Sequence, residues 1–153
     1  MYSLSSDTIY INPKKEKNMP IVSWNNKYSV NVEEIDLQHK KLIELVNNLH
    51  NSVESRISKK ELLKLLIELV DFTRFHFSTE EKLMKEHDFR GFPEHYKEHK
   101  ALLEHMENLV SAVSFGKTPK FYSDYDISSD WALAHIAGHD KILGKFLNSK
   151  NVF

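Results

Sequence analysis

The chain has 153 residues, of which 41% are hydrophobic, and this size favours one compact domain. It contains only four glycines and four prolines, too few for the many turns of a β-rich fold, so we expect a mostly helical protein. The 21 basic and 22 acidic residues give a net charge of -1, which provides no positive field for nucleic acid. Cysteine is absent, so any metal must be held by nitrogen and oxygen.

The N-terminal residues differ from the rest of the chain. Residues 1–18 are polar, mixed in charge and without sustained periodicity, which predicts a flexible extension; residues 19–153 would then form the helical domain. No apolar run approaches the roughly 20 residues of a membrane span, and the N-terminus lacks the apolar stretch of a signal peptide. We therefore expect no association with a membrane and a cytoplasmic location.

Apolar residues recur at helical spacing in four segments, and capping residues indicate where these segments begin and end. The first predicted helix runs from Ile35 to about Glu54. Ser58 and Glu61 have the spacing of a capping box. They mark the start of a second helix, which continues to about Glu86.

Glycine and proline mark the limits of the third helix. Gly91 supplies a stop before it, Pro93 suits its first turn, and the helix should end before Gly116. The fourth helix begins somewhere between Ser123 and Asp130, where several capping residues compete. Four helices with short links and one apolar stripe each predict an all-α fold, an antiparallel up-down-up-down four-helix bundle.

Each predicted helix carries a histidine on its apolar stripe, where an unpaired imidazole would be costly to bury. The third helix carries two in an HxxxH spacing, which can grip one metal ion. A half-buried surface histidine or an ordinary i,i+4 ion pair would explain any one of these residues alone. Their joint placement near the middle of the bundle favours a metal site. The inward-facing candidates are His39, His76, Glu80, His95, His99 and His135.

Spacing alone does not decide the last ligand on the fourth helix. His139 lies four residues after His135 and shares its face, whereas Asp140 lies five residues on, about 140° around at roughly 100° per residue. Charge favours Asp140, because divalent ions in a low-dielectric core require a second carboxylate beside Glu80. A local π-bulge would bring Asp140 inward.

Five stretches of the chain resemble the hemerythrin family, specifically the bacterial hemerythrins. They are Trp24 through Val32, Ile35-Asp36-Leu37-Gln38-His39, Phe72 through Met84 (FTRFHFSTEEKLM), Phe92 through His99 (FPEHYKEH) and Trp131 through Asp140 (WALAHIAGHD). Together they span about residues 20 to 148. The family motif HIxxxD corresponds to His135, Ile136 and Asp140, so the resemblance selects Asp140 as the ligand and leaves His139 without one.

The resemblance implies a non-haem di-iron centre that binds dioxygen reversibly. The residues assigned to it are His95, His99 and His135 for one iron, His39 and His76 for the other, and Glu80 and Asp140 as bridges. An oxo or hydroxo group would complete the bridge, and the second iron would keep one open position. The imidazole-rich ligand set by itself would also suit zinc, nickel or copper.

The resemblance also assigns, by position, an apolar pocket for oxygen. Its residues are Leu42, Phe77, Trp131, Ala132 and Ile136. A dry pocket would restrain hydrolysis and loss of the bound oxygen, although plain core packing would place the same residue types there. Ala132 departs from the family, which usually has leucine three residues before the histidine of the fourth helix. We therefore predict a larger, wetter pocket and faster autoxidation.

Two further residues match the family. Asp36 and Gln38 would orient His39, or Asp36 would instead cap the first helix. Four histidines have no ligand role in this interpretation: His50, His87, His105 and His139.

The function that the resemblance implies is an oxygen carrier, store or delivery protein, with dioxygen as its ligand and no enzymatic activity. The alternatives are a di-iron enzyme acting on peroxide or nitric oxide, which a larger pocket would admit, and an oxygen or redox sensor. A structural zinc bundle is disfavoured, because one zinc ion usually takes four ligands and seven are available. We expect a monomer whose oxygen passes to an oxygen-consuming recipient protein.

Overall fold

The computed structural model describes residues 20–117 and 129–153, with the side chains of the second range described from residue 132 onward. The predicted flexible extension, residues 1–18, therefore lies outside the described residues. The domain boundary at residue 19 stays a prediction.

Three long helices follow one another through short links. They are α1 (Glu33–Glu54), α2 (Lys59–Glu86) and α3 (Phe92–Ser114), and a single 3₁₀ turn (Asn26–Tyr28) precedes them. Their limits confirm the three helices expected from apolar spacing. The links of residues 55–58 and 87–91 are short, so α1 packs against α2 and α2 against α3 as antiparallel neighbours.

The fourth rod of the bundle is built from three consecutive helical pieces. It consists of α4 (Ser129–His135), a π-helical segment (Ile136–Asp140) and α5 (Lys141–Ser149). The expected range for its start, between residues 123 and 130, falls partly outside the described residues. Within the described ranges, no helix combines the length and the apolarity that crossing a membrane requires.

Two apolar clusters occupy opposite ends of the bundle. One is centred on Leu49, Leu66 and Val113, and the other includes Ile35 and Met84, all of them fully or almost fully buried. On α1 and α2, the predicted metal ligands lie in sequence between residues of these two clusters. The candidate site therefore lies near the middle of the bundle, with apolar packing on both sides.

The segment before α1 is tied down at two places. The side-chain amide of Asn47 accepts from the backbone N–H of Val22 at 3.1 Å and donates to its carbonyl oxygen at 2.8 Å. Farther along, Val30 packs directly on α5 at Gly144, where a Cβ atom would lie 2.5 Å from the carbonyl oxygen of Val30. Any larger residue at position 144 would push the segment away from the bundle.

The capping box expected at the start of α2 is present. The Oγ of Ser58 accepts from the backbone N–H of Glu61 at 3.2 Å, and the Glu61 carboxylate accepts from the backbone N–H of Ser58 at 3.1 Å. Two N–H groups that the helix itself cannot pair are thereby satisfied.

Replacing Ser58 by alanine removes this cap, so the substitution should lower the free energy of unfolding by about 1 kcal/mol. Denaturant unfolding of both proteins in the same metal state measures the difference. Ser55→Ala, at an exposed position just after α1, is the matched control and should change stability by less than about 0.5 kcal/mol. Equal losses in the two variants would contradict the capping role.

Candidate metal centre

The structure brings all seven predicted ligands together between the two apolar clusters. Each is at most 5% exposed. Their nitrogen and oxygen atoms form two overlapping groups, and within each group all atoms lie within 4.8 Å of one another. Glu80 and Asp140 belong to both groups. The remaining members are His95, His99 and His135 in the first group and His39 and His76 in the second.

On α2 and on α3, the two candidate ligands are spaced by one helical turn, so each pair lies on one face of its helix. The two faces are turned toward each other. On α2, the Nε2 atom of His76 lies 3.6 Å from Oε1 of Glu80. The other oxygen of Glu80 lies 3.3 Å from Nε2 of His95 and 3.0 Å from Nε2 of His99, both on α3. The two oxygens of one carboxylate thus point toward different groups of histidines.

On the fourth rod, the π-helical segment decides which residue faces inward. Its wider i→i+5 hydrogen bonding turns Asp140 toward the face of His135. The two oxygens of Asp140 each lie 3.0 Å from an Nε2 atom, one of His135 and the other of His39. His139 is half-buried, and its ring stacks on that of His135 at 5.4 Å. It belongs to neither group of candidate ligands, and the same holds for His50, His87 and His105.

The residues present fit a pair of bound cations. Among the described side chains, six atoms of the candidate ligands are buried without a hydrogen-bond partner. One is His135 Nδ1, and the other five face neighbouring ligands: His76 Nε2, Glu80 Oε1, His95 Nε2, His135 Nε2 and Asp140 Oδ1. Unpaired buried polar atoms are costly. The five lie 3.0 to 3.6 Å from their neighbours without hydrogen-bond angles, because their lone pairs converge on shared points. A cation at those points would satisfy them.

The electrostatics of the cluster also suit positive charge. Burial raises the pKa of the Glu80 and Asp140 carboxyls, but the facing histidines outweigh it, lowering the pKa of Glu80 to about 2 and that of Asp140 well below its usual range. Burial lowers the pKa of His76 to about 4. For His95 burial acts in the same direction, yet the facing carboxylates of Asp140 and Glu80 raise its pKa to about 9. The carboxylates are thus ionised, and metal binding would displace the extra proton of His95.

On α1 and α2, the Nδ1 atoms of the candidate ligands His39 and His76 each face a neutral acceptor. Nδ1 of His76 lies 2.9 Å from the amide oxygen of Gln38, and Nδ1 of His39 lies 3.4 Å from the carbonyl oxygen of Tyr28. The suggestion that Gln38 orients His39 is therefore wrong, because its side chain crosses to α2. The Asp36 carboxylate accepts from the hydroxyl of Ser29 and the backbone N–H of Val30. The N-cap of α1 is Val32 and carries no side-chain cap, so the capping alternative for Asp36 is also wrong; its carboxylate instead binds the segment before the helix.

Glu81 is a contact of the site that sequence reasoning missed. Its carboxylate lies 3.0 Å from Nδ1 of His99, and Phe77 stacks on the same imidazole with ring centroids 3.7 Å apart. Position 81 directly follows a predicted ligand, but no spacing rule indicates that its side chain reaches α3. Only the packing of α2 against α3 makes the contact.

A largely apolar cavity of about 70 Å³ adjoins the candidate ligands His76 and His135. One water molecule needs about 10 to 15 Å³, so the space suffices for a small molecule. Four of the five predicted pocket residues line it: Leu42, Phe77, Ala132 and Ile136. The side chain of the fifth, Trp131, lies outside the described residues. That the pocket is larger and wetter than in relatives with leucine at position 132 stays a prediction.

Known proteins are similar to this chain over most of its length. A family model described as the hemerythrin HHE cation binding domain matches residues 30–147. Bacteriohemerythrin of Methylococcus capsulatus is 28% identical over 132 residues, covering 86% of this chain and 100% of that protein. Myohemerythrin of Theromyzon tessulatum is 26% identical over 123 residues, covering 80% and 91%. A crystal structure of wild-type hemerythrin superposes with a TM-score of 0.75 at 28% identity, covering 83% and 98%.

The range matched by the family model contains all seven candidate ligands. The likeness to solved hemerythrin structures confirms the predicted all-α four-helix bundle. The sequence motifs and the match over residues 30–147 lead to the same conclusion, and the chain belongs to the hemerythrin family.

Proposed function

We propose that this protein binds dioxygen reversibly at a non-haem di-iron centre and serves as an oxygen carrier, store or delivery protein. The observation that carries the proposal is the pair of buried ligand groups that share Glu80 and Asp140. Membership of the hemerythrin family supports iron as the metal. Two iron ions bound there would supply the electrons that dioxygen takes up on binding and returns on release.

The two groups would hold the irons unequally. The proposed ligands are His95, His99 and His135 for one iron, His39 and His76 for the other, and Glu80 and Asp140 as bridges, together with an oxo or hydroxo group. The second group offers two histidines where the first offers three, so we propose that its iron keeps one position open. That position is where we propose dioxygen binds.

The chain's own residues would keep the oxygen site dry. Phe77 covers one face of His99 and also lines the cavity beside His76 and His135. Exclusion of water from such a site suppresses hydrolysis and proton leakage. Reversible binding needs no catalytic base, and we assign no catalytic residue.

The composition and the resemblance also support finer proposals. We propose that residues 19–153 form the oxygen-binding domain. We propose a monomeric cytoplasmic protein whose oxygen passes to an oxygen-consuming recipient protein.

Loading with Fe(II) in the absence of air, followed by oxygen, tests the proposed function. We expect two irons per chain and a visible absorption band that appears with oxygen and fades when oxygen is removed. Absence of iron uptake would overturn the di-iron assignment. Irreversible oxidation without that band would favour an enzyme acting on peroxide or nitric oxide, or a sensor.

Substitutions test whether Asp140 or His139 is the second ligand on the fourth rod. Asp140→Ala should lower the iron content per chain, because it removes a carboxylate that faces both groups, and Glu80→Ala should do the same. His139→Ala should leave the iron content unchanged, since its ring lies beside the cluster and not in it. Metal analysis of the purified variants measures this. An equal loss in His139→Ala and Asp140→Ala would overturn the assignment of the fourth rod.

The size of the oxygen pocket gives a further prediction. Ala132→Leu adds apolar volume to the cavity wall and should exclude water, so the oxygenated form should decay more slowly. The decay of the visible band in air measures the rate, and Ala134→Leu, at an exposed position on the same helix, is the control. Decay of Ala132→Leu at the wild-type rate or faster would show that position 132 does not limit stability of the oxygenated form.

A further inference from the structure

In the two ligand groups, His99 and His76 differ in the residue that contacts Nδ1, the ring nitrogen that faces away from the other ligands. Nδ1 of His99 lies 3.0 Å from a carboxylate oxygen of Glu81. Nδ1 of His76 lies 2.9 Å from the neutral amide oxygen of Gln38. The first group therefore has a negative charge just outside its ligands, and the acceptor at His76 in the second group is neutral.

We propose that Glu81 is a positioning residue that stabilises the oxidised state of the iron held by His99, so that the two irons differ in their preference for Fe(III). The inference rests on the proposed di-iron function. A carboxylate that accepts the Nδ1 proton raises the basicity of a metal-bound imidazole, and nearby negative charge favours the more highly charged ion. The amide of Gln38 fixes its imidazole with a much weaker electrostatic effect.

The geometry around His99 holds this contact in place. Two successive carboxylates of α2 reach both nitrogens of the ring, Glu80 at Nε2 and Glu81 at Nδ1, each at 3.0 Å. Phe77 stacks almost parallel to the imidazole, with an interplanar angle of 6°, which fixes the plane of the ring. His99 is thus oriented from three sides by residues of α2.

The Glu81 carboxylate is partly exposed to water. Its side chain is 20% exposed, so water still solvates part of the carboxylate and the full desolvation cost of a buried ion is avoided. Among the described ion pairs, its partner is His99 and no lysine or arginine. The carboxylate is therefore directed at the candidate ligand His99.

The charge of Glu81 has a consequence for oxygen affinity. Dioxygen bound at a di-iron centre would take up electrons from the irons, so an interaction that favours Fe(III) would tighten oxygen binding and lower the reduction potential. Second contacts of metal-bound histidines typically change metal affinity by about 10-fold to 100-fold. We expect the lower end of this range, because Glu81 is partly exposed to water.

The test is Glu81→Gln in the iron-loaded full chain, a substitution that keeps an acceptor oxygen and removes the charge. Potentiometric titration without air, followed in the visible and near-ultraviolet, should show a reduction step displaced to more positive potential. A tenfold weaker preference for Fe(III) corresponds to about 59 mV for one electron. The oxygen concentration for half-saturation should rise about tenfold, with the iron content unchanged.

Two matched variants distinguish the effect of a carboxylate at the site from the effect of a change in net charge. Glu86→Gln removes one acidic charge from the exposed end of α2, where Glu86 pairs with Lys82, and should leave the potential unchanged. Gln38→Glu places a carboxylate at the corresponding contact of the other group and should displace a reduction step to more negative potential. A purely structural role for Glu81 predicts no such opposite displacements.

The outcomes distinguish this inference from the proposed function. Wild-type protein that binds no iron overturns the di-iron function and this inference with it. Wild-type protein with two irons, together with an unshifted potential in Glu81→Gln, overturns only the role of Glu81. If Glu81→Gln fails to hold iron, Glu81→Asp, which keeps the negative charge, becomes the test of the charge effect. Recovery of iron with a potential at or below the wild-type value supports the charge effect, and recovery with a raised potential contradicts it.

Discussion

The burial of two ionised carboxylates among five histidines is the constraint on which the rest of this structure depends. In water these groups would be solvated, and in an apolar core they are costly unless positive charge balances them. The bundle meets this requirement by placing Glu80 and Asp140 so that each faces histidines of both groups. Apolar clusters at both ends of the bundle offset the burial of polar groups between them.

The same requirement explains why the fourth rod departs from a regular α-helix. A regular α-helix at the fourth rod would turn Asp140 away from His135 and place His139 on the inner face. In the π-helical segment over Ile136–Asp140 the backbone hydrogen bonds depart from the α-helical pattern, and the Asp140 carboxylate faces inward. Irregular turns of this kind frequently occur at functional sites, and here the turn supplies negative charge that His139 lacks.

The contacts just outside the ligands connect the metal site to the remainder of the fold. The segment before α1 is held by Asn47 and Gly144, and it carries the Tyr28 carbonyl to His39. Glu81 and Gln38 hold other imidazoles from neighbouring helices. These contacts hold Nδ1 of His39, His76 and His99, and such contacts fix the orientation of imidazoles that would bind a metal.

The sequence by itself determined features that depend on spacing within one helix: the four helices, the capping box of α2, and the alignment of His76 with Glu80 and of His95 with His99. Its motifs identified the family and, through it, Asp140. The tertiary structure decided the contacts between helices, which depend on packing register and on the π-helical turn. Gln38 meets His76 instead of His39, Glu81 reaches His99 across α2 and α3, and the cavity forms where four helices meet. No periodicity along one helix encodes the distance to another.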